Sequence, residues 1–242
     1  MSMKLKLEHI QKNFDTKEVL KDVTFTFEQG KIYGLLGRNG SGKTTLFNCI
    51  SENITYQGSI LLEQLGKTEQ LLETDVAFTF SNPILPEFLT GYEFVKFYID
   101  INKQYITDLK TIDEYFEIIK ISLDDRHRLI KEYSHGMKNK IQMLCFIIRK
   151  PPIILLDEPL TSFDVVVAHE IKELLKEIKK NHIIIFSTHI LELATDLCDE
   201  VVILNQGYVS ALSQEEFNNP DFEQRIMNLL QEDTDATTTV NH

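Results

Sequence analysis

The sequence predicts an α/β fold: a core with a mixed β-sheet and one inserted helical subdomain. Three observations carry that expectation. Ile32 to Leu36 reads as a buried strand that runs through a glycine cluster into a helix starting near Thr45. Beyond Pro151-Pro152, strand, helix and strand alternate, the order of a parallel sheet with right-handed crossovers. Between these stretches, Thr90 to Arg149 carries helical periodicity.

In chain order, Leu5 and Leu7, then Val23, Phe25 and Phe27, alternate with polar residues as half-exposed strands do, and Gln29-Gly30 forms a turn. Ser59 to Leu62 and Val76 to Phe80 read as further strands before Ser81-Asn82-Pro83 and Pro86 break the pattern. In the helical stretch, Ile112, Tyr115, Phe116 and Ile119 share one face, and Met137, Ile141, Leu144 and Ile148 another, on a helix beginning near Lys138. Ile153 to Leu156 is an apolar strand, Ile171, Leu174, Leu175 and Ile178 mark a helix, and Ile183 to Phe186 is the next strand. Val201 to Leu204, Asn205-Gln206-Gly207 and Tyr208 to Ala211 form a hairpin. Pro220 opens a last helix through Leu230, and the polar tail 231–242 is expected to be disordered. One domain, 1–230, is expected, with its core at about 1–85 and 150–218 and its helical subdomain at about 86–149.

A length of 242 residues suffices for a full core, and 43% hydrophobic with 26% charged residues is ordinary for a globular protein. The net charge of −12 argues against nucleic acid as a partner, which needs a broad basic face. Cys49, Cys145 and Cys198 are widely spaced and suggest neither a disulfide framework nor a metal site, so a reducing cytosol is expected. No apolar run reaches spanning length and the start is no signal peptide, so any service to a membrane would come through docking on another chain. No internal repeat is visible.

Gly34, Gly37, Gly40 and Gly42 are four of the ten glycines in the chain. The run Gly37-Arg38-Asn39-Gly40-Ser41-Gly42-Lys43-Thr44-Thr45 spells a phosphate-cradling loop between a strand and a helix. Glycine lets the backbone turn N–H groups inward around phosphate oxygens, and the helix N-terminus adds its positive end. Lys43 would reach the β- and γ-phosphates and the Thr44 hydroxyl would ligate Mg²⁺. A second motif, Ile153 to Glu158, is an apolar strand ending in two acids, where a parallel sheet presents its ligands. Asp157 would hold the Mg²⁺, and Glu158 would orient and deprotonate an attacking water. Between these motifs, Tyr133-Ser134-His135-Gly136-Met137 opens a helix, and Ser134 by itself is also the residue type of a plain N-cap.

With these motifs the chain resembles the nucleotide-binding subunits of ABC transporters, from about residue 3 to about residue 218. That resemblance implies a P-loop NTPase core, ATP and Mg²⁺. Residues 133–137 correspond to the family signature Leu-Ser-Gly-Gly-Gln. Ser134 and Gly136 match it, whereas Tyr133, His135 and Met137 depart. The signature serves the nucleotide of the opposite subunit. His135 either donates to phosphate when protonated or is a tolerated helix-start residue. Phe14 falls where the family keeps an adenine-stacking aromatic, its other reading being a strand-end core residue. Thr161-Ser162-Phe163-Asp164 matches the D-loop, with Asp164 against the partner, and His189 matches the switch histidine at the γ-phosphate. The Q-loop glutamine falls near position 81, where this chain has Ser81-Asn82-Pro83; either Ser81 helps ligate Mg²⁺ or Asn82 supplies a shorter amide.

The implied protein is an ATPase that works as a homodimer, or paired with a second ATP-binding subunit, on integral membrane permease subunits in separate chains at the cytoplasmic face of the plasma membrane. The stretch with Phe88, Tyr92, Phe94, Phe97 and Tyr98 lies where the family receives its membrane partner, most of these aromatics being core. The Tyr133–Lys138 form is similar to bacterial exporter cassettes, including those for drugs and peptides, so export is expected. Two other classes compete. Action on ribosomes or DNA is opposed by the acidity and by the lack of a coiled-coil insert or basic tail; a non-hydrolytic module is opposed by Lys43, Thr44, Asp157, Glu158 and His189.

Overall fold

A long antiparallel ribbon opens the chain. Strand β1 (Lys4–Phe14) pairs with β2 (Lys17–Glu28) on one side and β4 (Gln57–Gln64) on the other, and β4 carries the exposed edge strand β5 (Lys67–Gln70). The computed structural model describes residues 2–80, 82–159, 165–213 and 226. The remaining strands are β3 (Ile32–Leu36), β6 (Val76–Thr79), β7 (Ile153–Asp157), β8 (Ile183–Thr188), β9 (Glu200–Asn205) and β10 (Tyr208–Ser213). The sheet runs β5-β4-β1-β2-β10-β9-β3-β8-β7-β6. From β9 to β6 all pairings are parallel, and β10 joins the two parts, antiparallel to β9 and tied to β2 through the Lys21 and Asp22 amides donating to Gly207 O. The sheet is therefore mixed, as the sequence predicts.

Alternation along the central strands builds two cores. Tyr33, Leu35, Ile153, Leu155, Ile183 and Ile185 pack with Leu46, Phe47, Cys49 and Ile50 of α1 (Lys43–Ile50). Ile32, Leu36, Ile154, Leu156, Ile184 and Phe186 face the other way, onto α5 (His135–Arg149), α6 (Val165–Ile178) and α7 (Leu191–Leu197). Each fully buried Ile or Leu contributes about 1.5–3 kcal/mol, so β3, β7 and β8 are a firm base for whatever their ends carry.

The inserted helices, α2 (Gly91–Asn102), α3 (Ile112–Ile118), α4 (Leu123–Arg126) and α5, enclose a third cluster that includes Phe94, Tyr115, Phe116, Ile141, Leu144 and Ile148. Thr90, Thr111, Ser122 and Ser134 cap these four helices, each hydroxyl accepting from a backbone N–H three residues on. Helix α5 belongs to two clusters at once: Met143 and Phe146 pack toward the sheet while Ile141, Leu144 and Ile148 pack inward, which fastens the insertion to the core.

Three departures from expectation have local causes. Helix α5 starts at His135, not near Lys138, because the Ser134 side chain accepts from the Met137 amide and so fixes the helix start. The edge strand β5 has no apolar alternation, and pairing with β4 alone makes it a strand. Helix α7, too short to show a period in sequence, buries Ala194 and Leu197. The expected Pro220–Leu230 helix, apart from a buried Ile226, and the tail 231–242 lie outside the described residues, as do Ser81 and Thr161–Asp164.

Candidate active site

The parallel strands end together, and the predicted residues gather at that edge. From Leu36 the chain enters the glycine loop and turns into α1 at Gly42, whose φ of +107° is left-handed and strained for any L side chain. No side chain caps α1, in contrast to α2 through α5, and its first turn holds no acid. Gly37 meets a separate constraint, since a Cβ there would stand 2.5 Å from Ser41 Oγ and 2.7 Å from Leu204 O. The buried Ser41 Oγ has no protein hydrogen-bond partner among the described residues.

Lys43 begins α1 and is 6% exposed, its ammonium donating to Gly37 O at 2.7 Å and Arg38 O at 3.0 Å. Burial pushes its pKa below the usual lysine value, opposed by the nearby Glu158 and Asp157 carboxylates. Thr44 Oγ1 donates to Asp157 Oδ2 at 3.0 Å. Register places Asp157 opposite Ser187 of β8, and the Ser187 hydroxyl donates to Asp157 Oδ1. Ser187 Oγ in turn accepts from the Glu158 amide at 3.0 Å, and His189 Nδ1 is hydrogen-bonded to Glu158 Oε1 at 3.0 Å. Glu158 adopts φ +48°, an uncommon conformation for a non-glycine residue, of the kind that clusters at functional sites.

A cleft of about 370 Å³ is lined by Phe14, Lys17, Val19, Asn39, Gly40, Gly42, Lys43, Thr44, Thr45 and Glu158. Phe14, at the end of β1, is 47% exposed, so it is not a core residue. Ser134 and Gly136 do not line the cleft; they open α5, where Ser134 is an N-cap. Asn82 is exposed. Sequence reasoning gave no role to Ser187, Lys17 or Val19; the signal available for Ser187 was the pair of hydroxyl residues, Ser187 and Thr188, that closes an apolar strand just before His189.

The sequence profile of the family described as ABC transporter matches residues 20–161. This chain belongs to the ABC transporter family. Its relatives include an uncharacterised ABC transporter ATP-binding protein of Methanocaldococcus jannaschii, 34% identical over 86% of this chain and 76% of that protein. One from Bacillus subtilis is 31% identical over 86% and 68%. A sulfate/thiosulfate import ATP-binding protein of Agrobacterium fabrum is 33% identical over 85% and 62%. Among solved structures, an ATP-binding subunit of an ABC transporter superposes with TM-score 0.73 at 25% identity, covering 94% of both chains. The fold is also that of cbiO1 from Clostridium perfringens, with TM-score 0.74 at 24% identity over 93% of this chain and 94% of that one. The ABC chain is thus an ATP-binding subunit and an ATPase, and among its described residues no helix is long and apolar enough to cross a membrane.

Proposed function

We propose that this subunit hydrolyses ATP in a head-to-tail dimer, with an identical chain or a second ATP-binding subunit, and that the cycle drives export through separate membrane subunits at the cytoplasmic face of the plasma membrane. The observation that carries this reading is the continuous set of hydrogen bonds from Thr44 through Asp157, Ser187 and Glu158 to His189, beside the Lys43 loop.

Gly37, Asn39, Gly40, Ser41, Gly42 and Thr45 form the phosphate cradle, with uncapped N–H groups at the start of α1 and the unpartnered Ser41 hydroxyl as donors. Lys43, now held by two loop carbonyls, exchanges them for phosphate oxygens. Phe14 stacks on adenine at the rim of the cleft. Thr44 and Asp157 suit Mg²⁺, a hard cation that takes oxygen ligands. Among the described residues no cluster of three or more His, Cys, Asp or Glu could hold a metal, so the ion would depend on nucleotide and water oxygens for the rest of its shell. When bound, it neutralises charge developing on the phosphates.

Glu158 accepts the proton of the attacking water, its backbone pinned by Ser187 and its carboxylate oriented by His189. His189 also reaches the γ-phosphate, and Lys43 stabilises its charge. Ser134 and Gly136 lie outside the cleft of their own chain, which suits a role at the partner's nucleotide. ATP then favours the closed pair because only that state completes the γ-phosphate contacts. Asp164 at the partner contact, and Ser81 or Asn82 at the metal, complete the reading.

The membrane partner docks beside the inserted helices, where Phe88 and Phe97 are 78% and 52% exposed while Tyr92, Phe94 and Tyr98 pack into the third cluster. The Tyr133–Lys138 form of the signature, similar to that of bacterial exporter cassettes, supports export as the direction. The test is ATP turnover by the complex assembled with its membrane chain. Glu158→Gln should cut turnover by about 10²–10⁴-fold while ATP binding persists; unchanged turnover would reject Glu158 as the base.

A further inference from the structure

Near the end of β1 the pairing with β2 shifts register between Lys12 and Asn13, and there the Lys12 and Phe14 side chains come together. The Lys12 ammonium sits 4.9 Å from the centre of the Phe14 ring. It is fixed there by donating to Thr55 O at 2.6 Å, in the connection between α1 and β4. The two side chains serve different hollows. Phe14 lines the nucleotide cleft, whereas Lys12 lines a separate polar pocket of about 190 Å³ with Gln11, Asn13, Thr55, Tyr56 and Gln57.

We infer that Lys12 is a positioning residue for the nucleotide base, acting through Phe14: it holds the ring toward the cleft and polarises it for stacking. The inference rests on the reading of Phe14 as the adenine platform. A cation near an aromatic ring draws its π-electrons toward itself, and the cleft side of the ring is left poorer in electrons. An electron-rich purine stacks better on such a surface. The anchor also matters, because a ring that is 47% exposed would otherwise spend part of its time in other rotamers, and binding would have to order it. Thr55 thereby connects the far end of α1, the helix of the phosphate loop, to the base platform.

The test is a double-mutant cycle on the full chain, with the equilibrium affinity for ATP as readout and inorganic tripolyphosphate, which has no base, as the control ligand. Lys12→Met should weaken ATP binding by about two- to fivefold, the scale of an exposed cation–π contact. Lys12→Arg should restore it, tripolyphosphate affinity should stay at the parent value, and Lys12→Met should add nothing in a Phe14→Ala background. If Phe14→Ala weakens ATP binding and Lys12→Met does not, the role of Lys12 is overturned and the platform stands. If Phe14→Ala itself leaves ATP affinity unchanged, the platform reading fails first and Lys12 with it. Equal losses for ATP and tripolyphosphate in Lys12→Met would mean a general disturbance of the site and would also overturn the inference.

Discussion

Thr44 Oγ1 lies 3.0 Å from Asp157 Oδ2, joining the first turn of α1 to the end of β7 across 113 residues of sequence. Two parallel strands separated in order by β8 bring them to one edge, and each is a hard oxygen donor. Thr44→Val should therefore raise the Mg²⁺ concentration needed for ATP turnover by about 10- to 100-fold, the usual scale for losing one group of a metal site. Thr44→Ser keeps the hydroxyl and should stay near the parent. A Mg²⁺ titration of turnover checks both; equal behaviour of Val and Ser would exclude the hydroxyl from the metal site.

Ser187 is fully buried and serves two neighbours, accepting from the Glu158 amide and donating to Asp157. Ser187→Ala leaves the Glu158 N–H without that partner in a left-handed residue, at an expected cost of about 1–3 kcal/mol in denaturant unfolding. Turnover should fall further than stability alone explains, by about 10- to 100-fold, because Glu158, the proposed base, is no longer held in place. Full activity in a folded Ser187→Ala chain would deny it any positioning role.

At Gly37 an added methyl would meet both Ser41 Oγ and Leu204 O, within 2.7 Å of each. Overpacking of this kind costs about 1–3 kcal/mol. Gly37→Ala should weaken ATP binding, and adding Ser41→Ala should not rescue it, since the Leu204 carbonyl is backbone and stays. Calorimetric ATP affinities for the single and double variants decide the matter.

His182 stands at the start of β8, 7% exposed, with Nδ1 2.6 Å from Pro151 O. Burial holds its pKa below the ordinary 6.5, opposed by the hydrogen bond to Pro151 and assisted by Lys150. The unfolded chain therefore takes up a proton near pH 6.5 that the folded chain resists, so this residue's stability contribution is present above that pH and lost on acidification below it. His182→Asn offers an amide donor in place of the ring N–H without titrating. The fall in melting temperature between pH 8 and pH 5.5 should be smaller in this variant than in the parent; an unchanged fall would assign it to other groups.

Much of the site was legible in the chain because its parts are local. The glycine spacing, Lys43 and Thr44 lie in one run, and the strand that ends in Asp157 and Glu158 announces itself by apolar residues followed by acids. Burial of Ile153 to Leu156 follows from the same pattern. Edge strand β5 and short α7 were illegible, since neither is long or periodic enough to outweigh its polar residues.

By itself the sequence determined the loop, the paired acids and the strand and helix alternation, all of which depend on neighbours within a few residues. Only the tertiary structure decided that Ser187 stands between Asp157 and Glu158, that the Lys12 ammonium lies over the Phe14 ring, and that Ser134 caps α5 away from its own chain's cleft. Register between strands, and which of two faces a side chain takes, are fixed by pairing partners distant in sequence, and spacing within a single segment does not encode them.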